Sequence, residues 1–213
     1  MRQDATAEPI GDGRPVPDTA GLAVTLLDGI GRPDFQQRLA QALKREVVVD
    51  AGLILLYRRG DPPRILFNDW RTHKGLSDIR HYLQGPYQLD PFYRLALDDG
   101  DDGLYRLHQI APAFDSSQYY REYYRYSGLH DEFNLFIGLD AHTKVALSLA
   151  RRRTHEAFSS ADTQFLQAAA PLLSTAIRRH FLDLRPQALD DETPPLRSLL
   201  AQALKSFGRS VLT

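Results

Sequence analysis

The sequence contains no cysteine. That excludes disulfide bridges, thiolate metal sites and a cysteine nucleophile. No apolar run approaches the roughly 18 residues a membrane-spanning helix needs, so no membrane partner is expected. The leading segment MRQDATAEPIGDGRPVPDT is polar and lacks the apolar centre of a secretion signal, which makes a cytoplasmic location the expectation. An excess of charge is missing too, since 26 basic and 27 acidic side chains leave a formal net charge of −1. A stand-alone nucleic-acid binder carries a strongly basic balance, so this chain by itself is not expected to bind DNA. Its one dense basic cluster, Arg151 to Arg153, reads as a solvated strand end.

Recognisable catalytic motifs are absent as well. There is no GxSxG, HExxH, phosphate-loop or GxGxxG pattern. The seven histidines are scattered, none at a ligand spacing such as HxxxH. His130-Asp131-Glu132 is the densest polar cluster, but neighbours on an extended strand point to opposite faces and make a poor metal site. Ser148 stands in an expected strand with no base near it in sequence. No metal, cofactor or enzymatic activity is expected.

What the chain has in quantity is tyrosine, and it is concentrated. Nine of the ten tyrosines fall between His81 and Tyr126. A tyrosine has an apolar body and a polar tip, so it packs in a core and still hydrogen-bonds a guest. The stretch reads either as the wall of a cavity or as a thick, partly exposed helical cover over a sheet. With 213 residues, 43% hydrophobic and 25% charged, the chain has material for one large domain, alone or with an appendage.

Taken in order, residues 1–18 read as a flexible leader rich in Gly, Pro and Asp. Phe35, Leu39, Leu43 and Val47 recur at helical spacing and predict an amphipathic helix. The run 47–59 predicts a buried strand, turning at Gly60 to Pro63 into a returning strand at 64–67. Ser77 to Leu83 predicts a helix ended by Gly85-Pro86. Asp90 then has the pattern of an N-cap, with proline at the first helical position and a stop at Gly100. A strand is expected over 103–110. Next comes a helix capped by Ser116 or Ser117, with Tyr119, Tyr123 and Tyr126 on one face and Tyr120 and Tyr124 beside it.

The clearest hairpin joins 131–139 to 143–151. Both faces of both strands are apolar enough for a central, doubly covered pair. Ser159 and Asp162 form a box-like start to a long helix carrying two apolar stripes, Phe165 to His180 and Leu166 to Leu184. That arc is wider than one sheet contact requires, so it serves as a subunit interface in part or caps the sheet entirely. Pro171 should kink the helix or sit where its missing donor is tolerated. Residues 186–195 have linker composition, and a final amphipathic helix follows.

A binding pocket fits these residues better than an active site. Trp70, Tyr87, Tyr119 and Tyr123 could supply an aromatic lining. Asp90 or Asp131 could supply a carboxylate for an ammonium or amide donor, aided by ring-face attraction for a cation. An amine- or amide-bearing metabolite is the expected effector.

The run GPYQLDPFYRLALDDGDDGLYRL, with APAFDSSQYYREYYRYSGLHDEFNLFIGLD and LSLARR after it, resembles the N-terminal sensory region of LuxR-type transcriptional regulators. The likeness is to the subgroup with a GAF-like sensor and covers about residues 20 to 213. The terminal FGRSVLT resembles the segment leading into the LuxR-type helix-turn-helix domain. The resemblance implies an α+β fold, a GAF/PAS-like αβα sandwich with a central antiparallel sheet over residues 19–185. It also implies a homodimer, and residues 186–213 leading to a DNA-binding domain outside this chain. Sensory domains of this kind that bind acyl-homoserine lactones set the aspartate of an Asp-Pro step on the lactone's amide, a role that passes to Asp90. They also carry a tryptophan and a tyrosine on the preceding helix, where Ser77 and His81 stand here. Trp70 lies too far upstream for a gap-free match, which points away from an acyl-homoserine lactone.

Overall fold

A computed structural model describes residues 18–70, 72–98 and 100–183. The leader over 1–17, the linker and the final helix lie outside the described residues. Asp18, read as the end of the leader, is the N-cap of the first helix, and its carboxylate accepts the Gly21 N–H at 2.8 Å.

Five strands form one antiparallel sheet: β1 (Ala51–Arg58), β2 (Arg64–Asn68), β3 (Gly103–Arg106), β4 (Leu129–Asp140) and β5 (Thr143–Arg152). Their spatial order is β2-β1-β5-β4-β3, so the β4–β5 hairpin holds the middle. This is the α+β sandwich with a central antiparallel sheet, because helices cover both faces. On one side lie α1 (Thr19–Gly29), α2 (Phe35–Glu46) and α7 (Ser160–Asp183). On the other lie α3 (His73–Leu83), α4 (Pro91–Leu97), the short α5 (Leu107–Ile110) and the tyrosine segment. Among the described residues no helix is long and apolar enough to cross a membrane.

Strand parity separates two cores. Ile54, Leu56, Phe133, Leu135, Val145 and Leu147 face α1, α2 and α7. Ala51, Leu55, Tyr57, Phe136, Ala146 and Ala150 face the aromatic cover. Among the described residues, most of the apolar arc on α7 is filled within one chain. Phe165, Ala169, Leu166, Leu173, Ile177 and Phe181 are all buried, shared between the sheet and the α1–α2 pair. His180 stacks on Phe35 with ring centroids 4.2 Å apart, and its Nδ1 accepts the Gly31 N–H at 3.1 Å. Pro171 lies on the exposed side of the helix.

Several local expectations are corrected. Helix α3 begins at His73, capped by Thr72, whose hydroxyl accepts the Gly75 N–H at 3.0 Å. Glycine in that first turn has a packing reason, since a Cβ there would lie 2.4 Å from the Trp70 ring. The strand expected over 103–110 stops at Arg106, and Leu107–Ile110 coil into a helical turn that buries Leu107. Arg151 is not solvated. It is 4% exposed, donates to Asp162 Oδ2 at 3.0 Å and to Val48 O at 2.8 Å, and lies over the Phe158 ring. The start of α7 is a reciprocal box. Ser159 N–H donates to Asp162 Oδ2 at 2.8 Å, and Asp162 N–H donates to Ser159 Oγ at 3.1 Å.

Candidate ligand cavity

Between the sheet and the aromatic cover lies a cavity of about 40 Å³. A buried water needs about 10–15 Å³ on this measure, so the space suits a few waters or a compact molecule. The sheet supplies its floor. Glu132 and Asn134 on β4, Ser148 on β5 and Leu53 and Leu55 on β1 all line it. The register explains their meeting, because Asn134 lies opposite Ser148, and Ser148 opposite Leu53. Cross-strand partners on one face are close enough to bond. Ser148 Oγ donates to Glu132 Oε1 at 2.8 Å, and Asn134 Nδ2 donates to the same oxygen at 2.9 Å.

The opposite wall is aromatic. Trp70, Tyr82, Tyr119, Tyr123 and Tyr124 line it, with Asp90 between them. Asp90 caps α4 with Oδ1, which accepts the Phe92 N–H at 2.8 Å. Its Oδ2 accepts the Tyr82 hydroxyl at 2.8 Å. One side chain is thus both helix cap and cavity wall.

Tyrosine placement departs from the expected helical face. The turn Tyr120–Tyr124 is π-helical, which delays the rotation of the chain before α6 (Arg125–Ser127). Tyr119, Tyr123 and Tyr124 are therefore buried together, 5%, 6% and 1% exposed, and Tyr126 is turned out at 59%. Tyr119 stacks on Tyr123, with ring centroids 5.4 Å apart. Gly128 ends the segment in the left-handed conformation at φ 77°, which lets the chain turn directly into β4.

Of the six residues singled out from sequence, Trp70, Asp90, Tyr119 and Tyr123 line this one cavity. Tyr87 is not among its lining residues. It sits in the turn before Asp90, edge-on to Tyr82 and Tyr93 with ring centroids 6.2 and 5.1 Å away. Asp131 is on the wrong face. Strand parity turns it away from Glu132, and Arg106 grips it with Nε to Oδ1 at 3.0 Å and Nη2 to Oδ2 at 2.5 Å. It also accepts the Phe158 N–H at 2.8 Å, so its work is to tie β3 and β4 to the start of α7. Glu132, Asn134 and Tyr124 are cavity residues that the sequence reading missed. Glu132 and Asn134 could have been found by pairing Ser148 across the hairpin and keeping β4 residues of the same parity.

The cavity has unusual electrostatics. Burial raises the Glu132 carboxyl to about 8, the Asp90 charge adds to the shift, and the bonds from Ser148 and Asn134 oppose it. Burial likewise raises Asp90 to about 6, against the opposing bonds from Tyr82 and the Phe92 N–H. Tyr57, Tyr82, Tyr119, Tyr123 and Tyr124 are all held well above the ordinary phenol value, first by burial, and so stay neutral. Three polar atoms on the lining have no protein hydrogen-bond partner: Trp70 Nε1, Tyr124 OH and Asn134 Oδ1. Buried polar groups are ordinarily satisfied, so these are groups a guest could engage.

No family model and no curated protein sequence matches this chain. Solved structures do. The VqsR LBD domain from Pseudomonas aeruginosa superposes with a TM-score of 0.65 at 24% identity, covering 76% of this chain and 96% of that one. The N-acylhomoserine lactone-dependent LuxR-family transcription factor CepR2 from Burkholderia cenocepacia matches at 0.54 and 15% identity, over 78% and 96% of the two chains. Escherichia coli SdiA also matches at 0.54 and 15% identity, over 81% of this chain and 71% of its own. The protein therefore has the fold that the VqsR LBD shares with the LuxR-family regulator CepR2.

Proposed function

We propose that this chain is the small-molecule-sensing domain of a LuxR-type transcriptional regulator that acts in the cytoplasm as a homodimer. An effector binds between the sheet and the aromatic cover, and DNA is contacted through a helix-turn-helix domain outside this chain. One observation carries the reading. The cavity combines an aromatic wall with the unpartnered atoms Trp70 Nε1, Tyr124 OH and Asn134 Oδ1, at the layer between sheet and cover. Apolar lining with a few placed polar groups is what small-molecule sites require. An effector controls output only by binding one arrangement of the dimer better than another.

A second reading is a GAF-like dimerisation or protein-interaction module without a ligand, and the small cavity volume favours it. A thermal-shift panel of amines, amino acids and acyl-lactones separates the two. A sensor shows stabilisation that grows with ligand concentration; a module shows none. The dimer has its own test. Since most of the described arc of α7 is covered within the chain, the exposed apolar side chains Val24 and Leu27 of α1, with Leu182 near the end of α7, are the candidates for a subunit contact. Light scattering should give twice the chain mass, and Leu27→Glu should halve it.

A further inference from the structure

Two carboxyl groups, buried Asp90 and half-buried Glu132, are placed differently from Asp131 and Asp162. Asp131 is paired with Arg106, and Asp162 with Arg151. Asp90 and Glu132 share a cavity that, among the described residues, no lysine, arginine or histidine lines. The donors that reach them are uncharged: the Tyr82 hydroxyl and Phe92 N–H for Asp90, Ser148 and Asn134 for Glu132. Beside them stand unpartnered polar atoms on side chains almost wholly buried, Tyr124 at 1% and Trp70 at 3% exposure. The nearest described cation, the Arg152 guanidinium, lies over the Trp70 ring, 5.0 Å from its centroid, and is not among the lining residues, so neither carboxyl has a charged partner in the cavity.

We propose that the effector is a compact organic cation, an ammonium on a short apolar body, and that Glu132 together with Asp90 selects it. The proposal rests on the sensing role given above. Two carboxyls facing one small cavity resist ionising together, and an entering ammonium supplies the missing countercharge. The aromatic wall adds ring-face attraction for a cation. Asn134 Oδ1 can accept an N–H from it, and the Trp70 indole N–H can serve an oxygen on the same molecule. An anion would meet two carboxyls, and a neutral molecule would leave the electrostatic design unused.

Binding should also move a proton. Glu132 is mostly protonated at neutral pH, and beside an ammonium it ionises, its proton leaving to solvent. The titratable and charged groups around it are Asp90, at the cap of α4; Tyr57 on β1; Tyr82 on α3; Tyr119, Tyr123 and Tyr124 in the cover; Asp131 on its own strand; and, behind the lining, Arg152 over the Trp70 ring and His81 and Asp78 beside Tyr123. The tyrosines remain neutral, and Asp131 is held by Arg106.

Calorimetric titration of the full chain with ethylammonium, ethanol and acetate tests this. Buffers of different ionisation enthalpy near pH 7 report the proton. Ethylammonium should bind at least about tenfold tighter than ethanol, with proton release, and acetate should not bind. In Glu132→Gln the ammonium should lose roughly tenfold in affinity, and proton release should vanish. Should Glu132→Gln fail to fold, the ranking of the three probes on the unmodified chain still decides. Ethanol or acetate binding as tightly as the ammonium overturns the cation proposal and leaves the sensing role standing. Binding by none of the three also overturns it, and the wider thermal-shift panel then judges the sensing role separately.

Discussion

Tyr82 on α3 donates its hydroxyl hydrogen to Asp90 Oδ2 over 2.8 Å, joining that helix to the cap of α4 inside the cavity wall. The bond gives the Asp-Pro step two roles that mutation can separate. Asp90→Ala removes the cap, at about 1 kcal/mol. It also leaves the Tyr82 hydroxyl buried without an acceptor, at a further 1–3 kcal/mol or so. Urea unfolding at pH 5 should show a loss of about 2–4 kcal/mol, and Asp90→Asn, which keeps an acceptor, should lose less than half of that. A loss near 1 kcal/mol in Asp90→Ala would leave the cap as its whole structural role.

The raised carboxyls set the pH dependence of stability. Both Asp90 and Glu132 take up protons on folding, since their folded values of about 6 and about 8 lie above their ordinary ones. Where the folded state binds more protons, stability falls as pH rises. Their contribution is fully present below about pH 4 and is lost progressively up to about pH 8. Glu132→Gln should flatten the fall between pH 5 and 8 and exceed the unmodified protein in stability at pH 9. Chemical unfolding across that range checks both.

Two tyrosines should behave oppositely when they lose a hydroxyl. The Tyr124 hydroxyl is buried without a protein partner, whereas that of Tyr82 holds Asp90. Tyr124→Phe should be neutral or slightly stabilising, within about 0.5 kcal/mol, and Tyr82→Phe should cost about 1–2 kcal/mol. If the effector uses the Tyr124 hydroxyl, Tyr124→Phe weakens binding while the melting temperature of the free protein stays put.

Asp131 gives a control outside the cavity. Removing one partner of a buried ion pair leaves the other charge uncompensated, so Asp131→Ala should lose roughly 3–5 kcal/mol. Arg106 loses its partner and the Phe158 N–H its acceptor. Effector affinity of the folded fraction should not change. A binding loss without a stability loss would return Asp131 to the site.

Features governed by local chemistry were legible in the sequence. The Asp90 cap, the Ser159–Asp162 box and the β4–β5 hairpin each rest on residues adjacent or nearly so. The cavity was harder, because it depends on which face of the sheet meets the aromatic cover. Asp131 and Glu132 are neighbours with opposite parity, and composition alone does not say which one looks into the cavity. The π-helical turn was hidden for a different reason. A period of 3.6 residues groups Tyr126 with Tyr119 and Tyr123, and one wider turn exchanges it for Tyr124. Arg151 looked solvated because its partners lie outside its own strand, Val48 103 residues away and Asp162 at the start of the next helix.

Trp70 is the chain's single tryptophan, and it lines the cavity at 3% exposure. Its fluorescence therefore reports the proposed site directly. Any compound that raises the melting temperature should change Trp70 emission saturably, over the same concentration range, and Glu132→Gln should shift both curves together. A compound that stabilises the protein and leaves Trp70 emission unchanged at saturation would place the effector elsewhere and contradict the account.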